Sequence, residues 1–118
     1  MTQEEKFLNK LATGFNMTCQ QIVDYARPSL DYINETVDVD LEYREASHDE
    51  IVFETDDAKF VVQNDLITVV IVYDGEELDG TRFSTYNIKN TGDVDRALSK
   101  FFYACKREEE KNSQEVVG

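Results

Sequence analysis

An α+β fold with an antiparallel sheet is predicted by three features of this chain. Apolar residues recur at helical spacing towards both ends, they alternate with polar ones at period two through the middle, and the links between the alternating runs are too short for crossovers. The 118 residues hold six Tyr, seven Phe and a 41% hydrophobic fraction, enough for one core without disulfide staples. A single proline and five glycines exclude a Pro/Gly-rich disordered chain.

Thr2-Gln-Glu-Glu5 has capping-box spacing, and Phe7, Leu8 and Leu11 follow at helical intervals until Gly14 stops the run. A second capping box is expected at Thr18-Cys-Gln-Gln21. Ile22, Tyr25, Ala26, Leu30 and Ile33 then carry a helical stripe to about Asn34, with Pro28 expected to kink the helix or restart it. From Val37 the period changes to two. Val37, Val39, Leu41 and Tyr43 alternate with Asp38, Asp40, Glu42 and Arg44, which predicts a strand with three carboxylates in a row on its solvent face.

Four more strands are expected at Ile51 to Thr55, Lys59 to Gln63, Leu66 to Tyr73 and about Arg82 to Ile88. The links Asp56-Asp57-Ala58 and Asn64-Asp65 are short and turn-forming, so their flanking strands should be antiparallel hairpins. Asp74 to Gly80 forms a longer acidic connection. After Thr91-Gly-Asp93, residues Val94, Ala97, Leu98, Phe101 and Cys105 give a closing helix a sustained core stripe. The expected organisation is one domain over 1–107, with helices packed on one face of a meander of about five strands, and a polar, frayed tail over 108–118. Leu66 to Tyr73 is apolar on both faces, and Val52 and Val61 add to the second face. If nothing within the chain covers that face, a twin subunit or another partner should.

Charge is the strongest functional signal. Between Asp24 and Asp79 the chain carries seventeen acids against Arg27, Arg44 and Lys59, whereas the remainder is close to balanced. Carboxylates at this density stay ionised only on the surface, so one region of the domain must be strongly negative. The candidate partner-binding residues are Asp38, Asp40, Glu42, Glu45, Asp49, Glu50, Asp56, Asp57, Asp74, Glu76, Glu77 and Asp79. Salt adaptation would acidify the whole surface, which this distribution does not.

Chemistry finds little support. His48, the only histidine, sits in a turn-like Ala46-Ser-His-Asp-Glu50, and adjacency does not build a Ser-His-Asp triad. Asp38-Val-Asp40-Leu-Glu42 begins like a calcium loop but has Tyr43 where an EF-hand requires glycine. The 74–80 connection has the better shape for a loose divalent-cation contact, but an acidic hairpin loop explains it as well. Cys19 and Cys105 lack metal or redox spacing and read as buried thiols, paired only if their helices touch. We expect no enzyme, no cofactor and no metal. Direct nucleic-acid binding is disfavoured because it needs Lys and Arg against phosphates. The acidic start and the eight-residue limit on near-apolar runs point to a cytoplasmic protein, without a membrane span.

In charge and size, though by no shared motif, the chain resembles the small acidic DNA-mimic proteins of phages, which include anti-restriction and anti-CRISPR inhibitors. That resemblance implies an inhibitor that blocks a basic, nucleic-acid-binding cleft of a partner protein. Two alternatives are an immunity protein against a nuclease toxin and an acidic secretion or assembly chaperone. The chaperone's usual interleaving of helix among strands does not match the order read here.

Overall fold

A computed structural model describes residues 16–47, 49–73 and 80–117; the helix expected over Thr2 to Gly14 lies outside these residues. The described elements are α1 (Cys19–Thr36), β1 (Glu42–Ser47), β2 (Glu50–Glu54), β3 (Ala58–Gln63), β4 (Leu66–Tyr73), β5 (Gly80–Asn87) and α2 (Thr91–Val117). The strands pair in sequence order, every neighbour antiparallel, and both helices pack on one face, giving the expected α+β class.

Local chemistry sets the element ends. Gln21 N–H donates to Thr18 Oγ1 and Thr18 N–H to Gln21 Oε1, which closes the capping box that starts α1. Asn90 and Asp93 do the same for α2: Asp93 N–H donates to Asn90 Oδ1, and Asp93 Oδ2 accepts from Asn90 N–H and Lys89 N–H. The β3–β4 turn is tight because Asp65 adopts a left-handed φ of 58°, which Asp tolerates. Its carboxylate accepts Met17 N–H at 2.7 Å and its carbonyl accepts Ile88 N–H, so one turn residue anchors the entry to α1 and the exit from β5.

Register assigns the two sheet faces. Ile51, Phe53, Ala58, Phe60, Val62, Ile67 and Val69 point to the helices and meet Ile22, Val23, Ala26, Leu30, Ile33, Val94, Ala97, Phe101 and Cys105 in a single core. Rings run across it from the sheet edge to α2: Tyr43–Phe53 at 5.2 Å, Phe53–Phe60 at 6.4 Å and Phe60–Phe101 at 5.3 Å between centroids. Each buried Phe contributes roughly 1.5–3 kcal/mol by transfer from water. The opposite face carries Val52, Val61, Thr68, Val70, Val72 and Phe83. Val52 and Val70 are buried there, whereas Val72 is 40% and Phe83 68% exposed.

Three expectations are corrected. Residues 37–41 are not strand. Val37 N–H still bonds to Ile33 C=O as the cap of α1, and β1 begins only at Glu42, opposite Glu54 where β2 ends. Val37 is nonetheless buried, and Val39 and Leu41 pack against the core, so the alternation records which side chains face inward rather than a hydrogen-bonded ladder. Pro28 does not restart the helix, since α1 is one helix of 18 residues. Pro28 is exposed, and its missing N–H leaves the carbonyl one turn earlier without its helical donor. Helix α2 continues to Val117, through residues read as a polar, frayed tail, and its buried stripe reaches Glu108.

Candidate functional site

The end of the sheet where β2 turns into β3 gathers acids from four separate segments. The turn supplies Asp56 and Asp57, the segment after α1 supplies Asp38 and Asp40, β1 begins with Glu42, and α2 brings Glu108, Glu109 and Glu110 alongside. Glu108, only 3% exposed, organises the junction: its Oε1 accepts the Thr55 hydroxyl at 2.6 Å and Asp57 N–H at 2.9 Å. Glu109 accepts Asp38 N–H at 2.6 Å through one carboxylate oxygen and Lys106 Nζ at 2.9 Å through the other. The Lys106 bond first, and then the Asp38 N–H, hold its carboxyl below the usual glutamate value, and the same contact raises Lys106.

Some of these charges are neutralised on the spot. Asp57 pairs with Lys111 at 3.4 Å, and Glu54 sits between Arg44 and Lys59 at 3.2 and 3.8 Å, which relieves its placement opposite Glu42. The carboxylates of Asp38, Asp40, Glu42 and Asp56 are exposed, with no ion-pair or hydrogen-bond partner among the described residues. They are the groups available to a partner.

Three further candidates do not join them. Glu45, Asp49 and Glu50 belong to the β1–β2 hairpin at the far end, where Ser47 pairs with Glu50, about 17 Å along β1 from Glu42 at strand rise. There Glu45 accepts the Tyr43 hydroxyl at 2.7 Å, raising that phenol's pKa, and Glu50 accepts Gln63 Nε2 at 2.9 Å. Asp74, Glu76, Glu77 and Asp79 lie outside the described residues, as does His48. The strand ends that the 74–79 connection joins, Tyr73 and Gly80, are paired at the same end as Asp56 and Asp57, with Val72 N–H donating to Asp57 C=O. The expected row along Asp38, Asp40 and Glu42 is replaced by a cluster across segments.

Glu109 and Glu110 were not among the sequence candidates. Their signal was the spacing of Phe101, Cys105 and Glu108, which keeps the α2 stripe in phase beyond the last apolar residue.

Among the described residues no group of three His, Cys, Asp or Glu could hold a metal ion, and no helix is long and apolar enough to cross a membrane. Cys19 and Cys105 are both free and buried. The chain matches no known family model, and neither a curated protein nor a solved structure matches it significantly.

Proposed function

We propose that this domain is a protein-binding inhibitor whose acidic end occupies a basic, nucleic-acid-binding cleft of a partner. The observation that supports this reading is the convergence of the exposed carboxylates of Asp38, Asp40, Glu42 and Asp56 from three chain segments onto one end of a packed scaffold. Arg and Lys that grip phosphates would donate charge-assisted hydrogen bonds to these groups instead.

The test is competition. With the partner purified, association should approach about 10⁸ M⁻¹s⁻¹ at low salt and fall steeply as the Debye length shortens from ~30 Å to ~8 Å. The domain should displace the partner's nucleic acid while showing no affinity for nucleic acid itself. A ternary complex without mutual weakening would exclude mimicry, and salt-insensitive association would exclude the acidic end as the contact. The second reading, a chaperone that holds a client on the outer sheet face, is favoured by the exposure of Phe83 and Val72. Phe83→Asp separates the two, since it should abolish client binding and leave an acidic-end contact intact.

A further inference from the structure

The outward side of the helix pair is divided by charge. On α1, Asp24, Asp31 and Glu35 fall at i, i+7 and i+11 and form an exposed acidic ridge. The one base of this helix's outer half, Arg27, is turned away over the Tyr43 and Phe53 rings, 5.4 and 6.0 Å from their centroids. On α2, Arg96, Lys100, Tyr103 and Arg107 fall at i, i+4, i+7 and i+11 and form an exposed ridge of opposite sign. Its acidic neighbour Asp93 is buried in the helix cap and pairs with Arg96. The other charge is carried by Glu110, at the far extremity, and by Asp95 on the groove side, whose carboxylate accepts the Tyr25 hydroxyl.

Between the ridges runs an open groove of about 450 Å³, walled by Pro28, Tyr32, Asp95, Leu98, Ser99 and Phe102. Aromatic side chains line the same surface: Tyr32 and Tyr103 are each 59% exposed, and Phe102 is 37% exposed. A purely basic segment laid here would meet the α2 ridge, and a purely acidic one the α1 ridge. A surface that carries both signs side by side is complementary to itself.

We propose that a second copy of this chain docks on this face, related by a two-fold axis that runs along the groove. Rotation about that axis places α1 of each copy over α2 of the other, acid against base. A two-fold axis across the helices would instead place acid on acid. The levels also match. The Tyr25 hydroxyl bonds Asp95 at 3.0 Å, so residue 25 of α1 lies level with residue 95 of α2. Because the axis preserves level, Asp24 then faces Arg96, Asp31 faces Lys100 and Glu35 faces Arg107, each within about one helical turn. The grooves of the two copies meet at the centre, where Tyr32 and Phe102 supply the apolar contact. The face is as long as α1, ~27 Å, and about two helices wide, which places it at the low end of specific interfaces and predicts a micromolar rather than a permanent dimer. Both acidic ends point the same way in this arrangement. The proposal stands independently of the inhibitor reading.

Sedimentation equilibrium of the full chain from about 10 μM to about 1 mM tests it. The mass should rise from 13.6 kDa towards twice that value. Arg96→Glu with Lys100→Glu should weaken the dimer at least tenfold, and adding Asp24→Lys with Asp31→Lys to the same chain should restore it. Circular dichroism of each variant checks the fold, and the restoring variant separates lost pairing from lost structure. A chain that stays at monomer mass across the range overturns the proposal. So does a dimer that ignores ridge reversal but is lost in Phe83→Asp, which would place the interface on the outer sheet face.

Discussion

The two ends of the sheet are both built with acids, yet they use them in opposite ways. At the end where α1 and α2 begin, Asp65 and Asp93 are spent on backbone N–H groups: Asp65 holds the entry to α1, and Asp93 caps α2. At the other end Glu108 and Glu109 do that work for Asp57 N–H and Asp38 N–H, while Asp38, Asp40, Glu42 and Asp56 leave their carboxylates in solvent. The residue type is the same, and the partner decides whether it supports the fold or is available to another molecule.

Substitutions should sort along this line. The reference for a purely structural loss is Phe101→Ala, a fully buried ring against Phe60, expected to cost about 3–5 kcal/mol in urea unfolding. An effect below about 1 kcal/mol would mean that α2 is not docked. Glu108→Ala comes next at about 2–3 kcal/mol, since it strips the acceptor from both Thr55 Oγ1 and Asp57 N–H. Asp93→Ala should cost about 1 kcal/mol as a lost cap. By contrast, Asp40→Asn, Glu42→Gln and Asp56→Asn together should change stability by less than about 0.5 kcal/mol, or raise it, because they relieve repulsion at exposed positions. The same triple variant should slow association with a basic partner at low salt. A large loss of stability here would erase the distinction between the two ends.

The smallest effect is a titration. Glu109 has a folded-state pKa below its unfolded one, so its contribution is complete above the ordinary glutamate value of about 4.3 and is lost as pH falls through the lower folded value. Carboxyl chemical shifts should show Glu109 titrating low and returning towards the ordinary value in Lys106→Ala.

Periodicity and turn chemistry made the sheet readable. Leu66 to Tyr73 is a strand with the expected limits, and Asn64-Asp65 is the hairpin its residue types demand. The segment after α1 misled because alternation reports burial, and Val37, Val39 and Leu41 are turned inward without a ladder partner. The acidic end was legible only in part. Its members come from four segments, and local spacing carries no information on which turns and helix ends meet across the fold. Glu45 and Glu42 are neighbours on one strand in sequence, yet one bonds Tyr43 and the other faces solvent.

The two thiols give this molecule an internal reporter. Burial, with Glu108 adding to it, pushes the Cys105 thiol up to about 12, and burial likewise raises Cys19, whose Sγ donates to Val62 C=O at 3.3 Å. Thiolate is the reactive form, so at neutral pH neither sulfur reacts while the core is closed. Each lies on a different helix against the same sheet face. Alkylation rates at the two positions therefore measure how often each helix lifts from the sheet, and equal rates would mean that the helices leave as one cooperative unit.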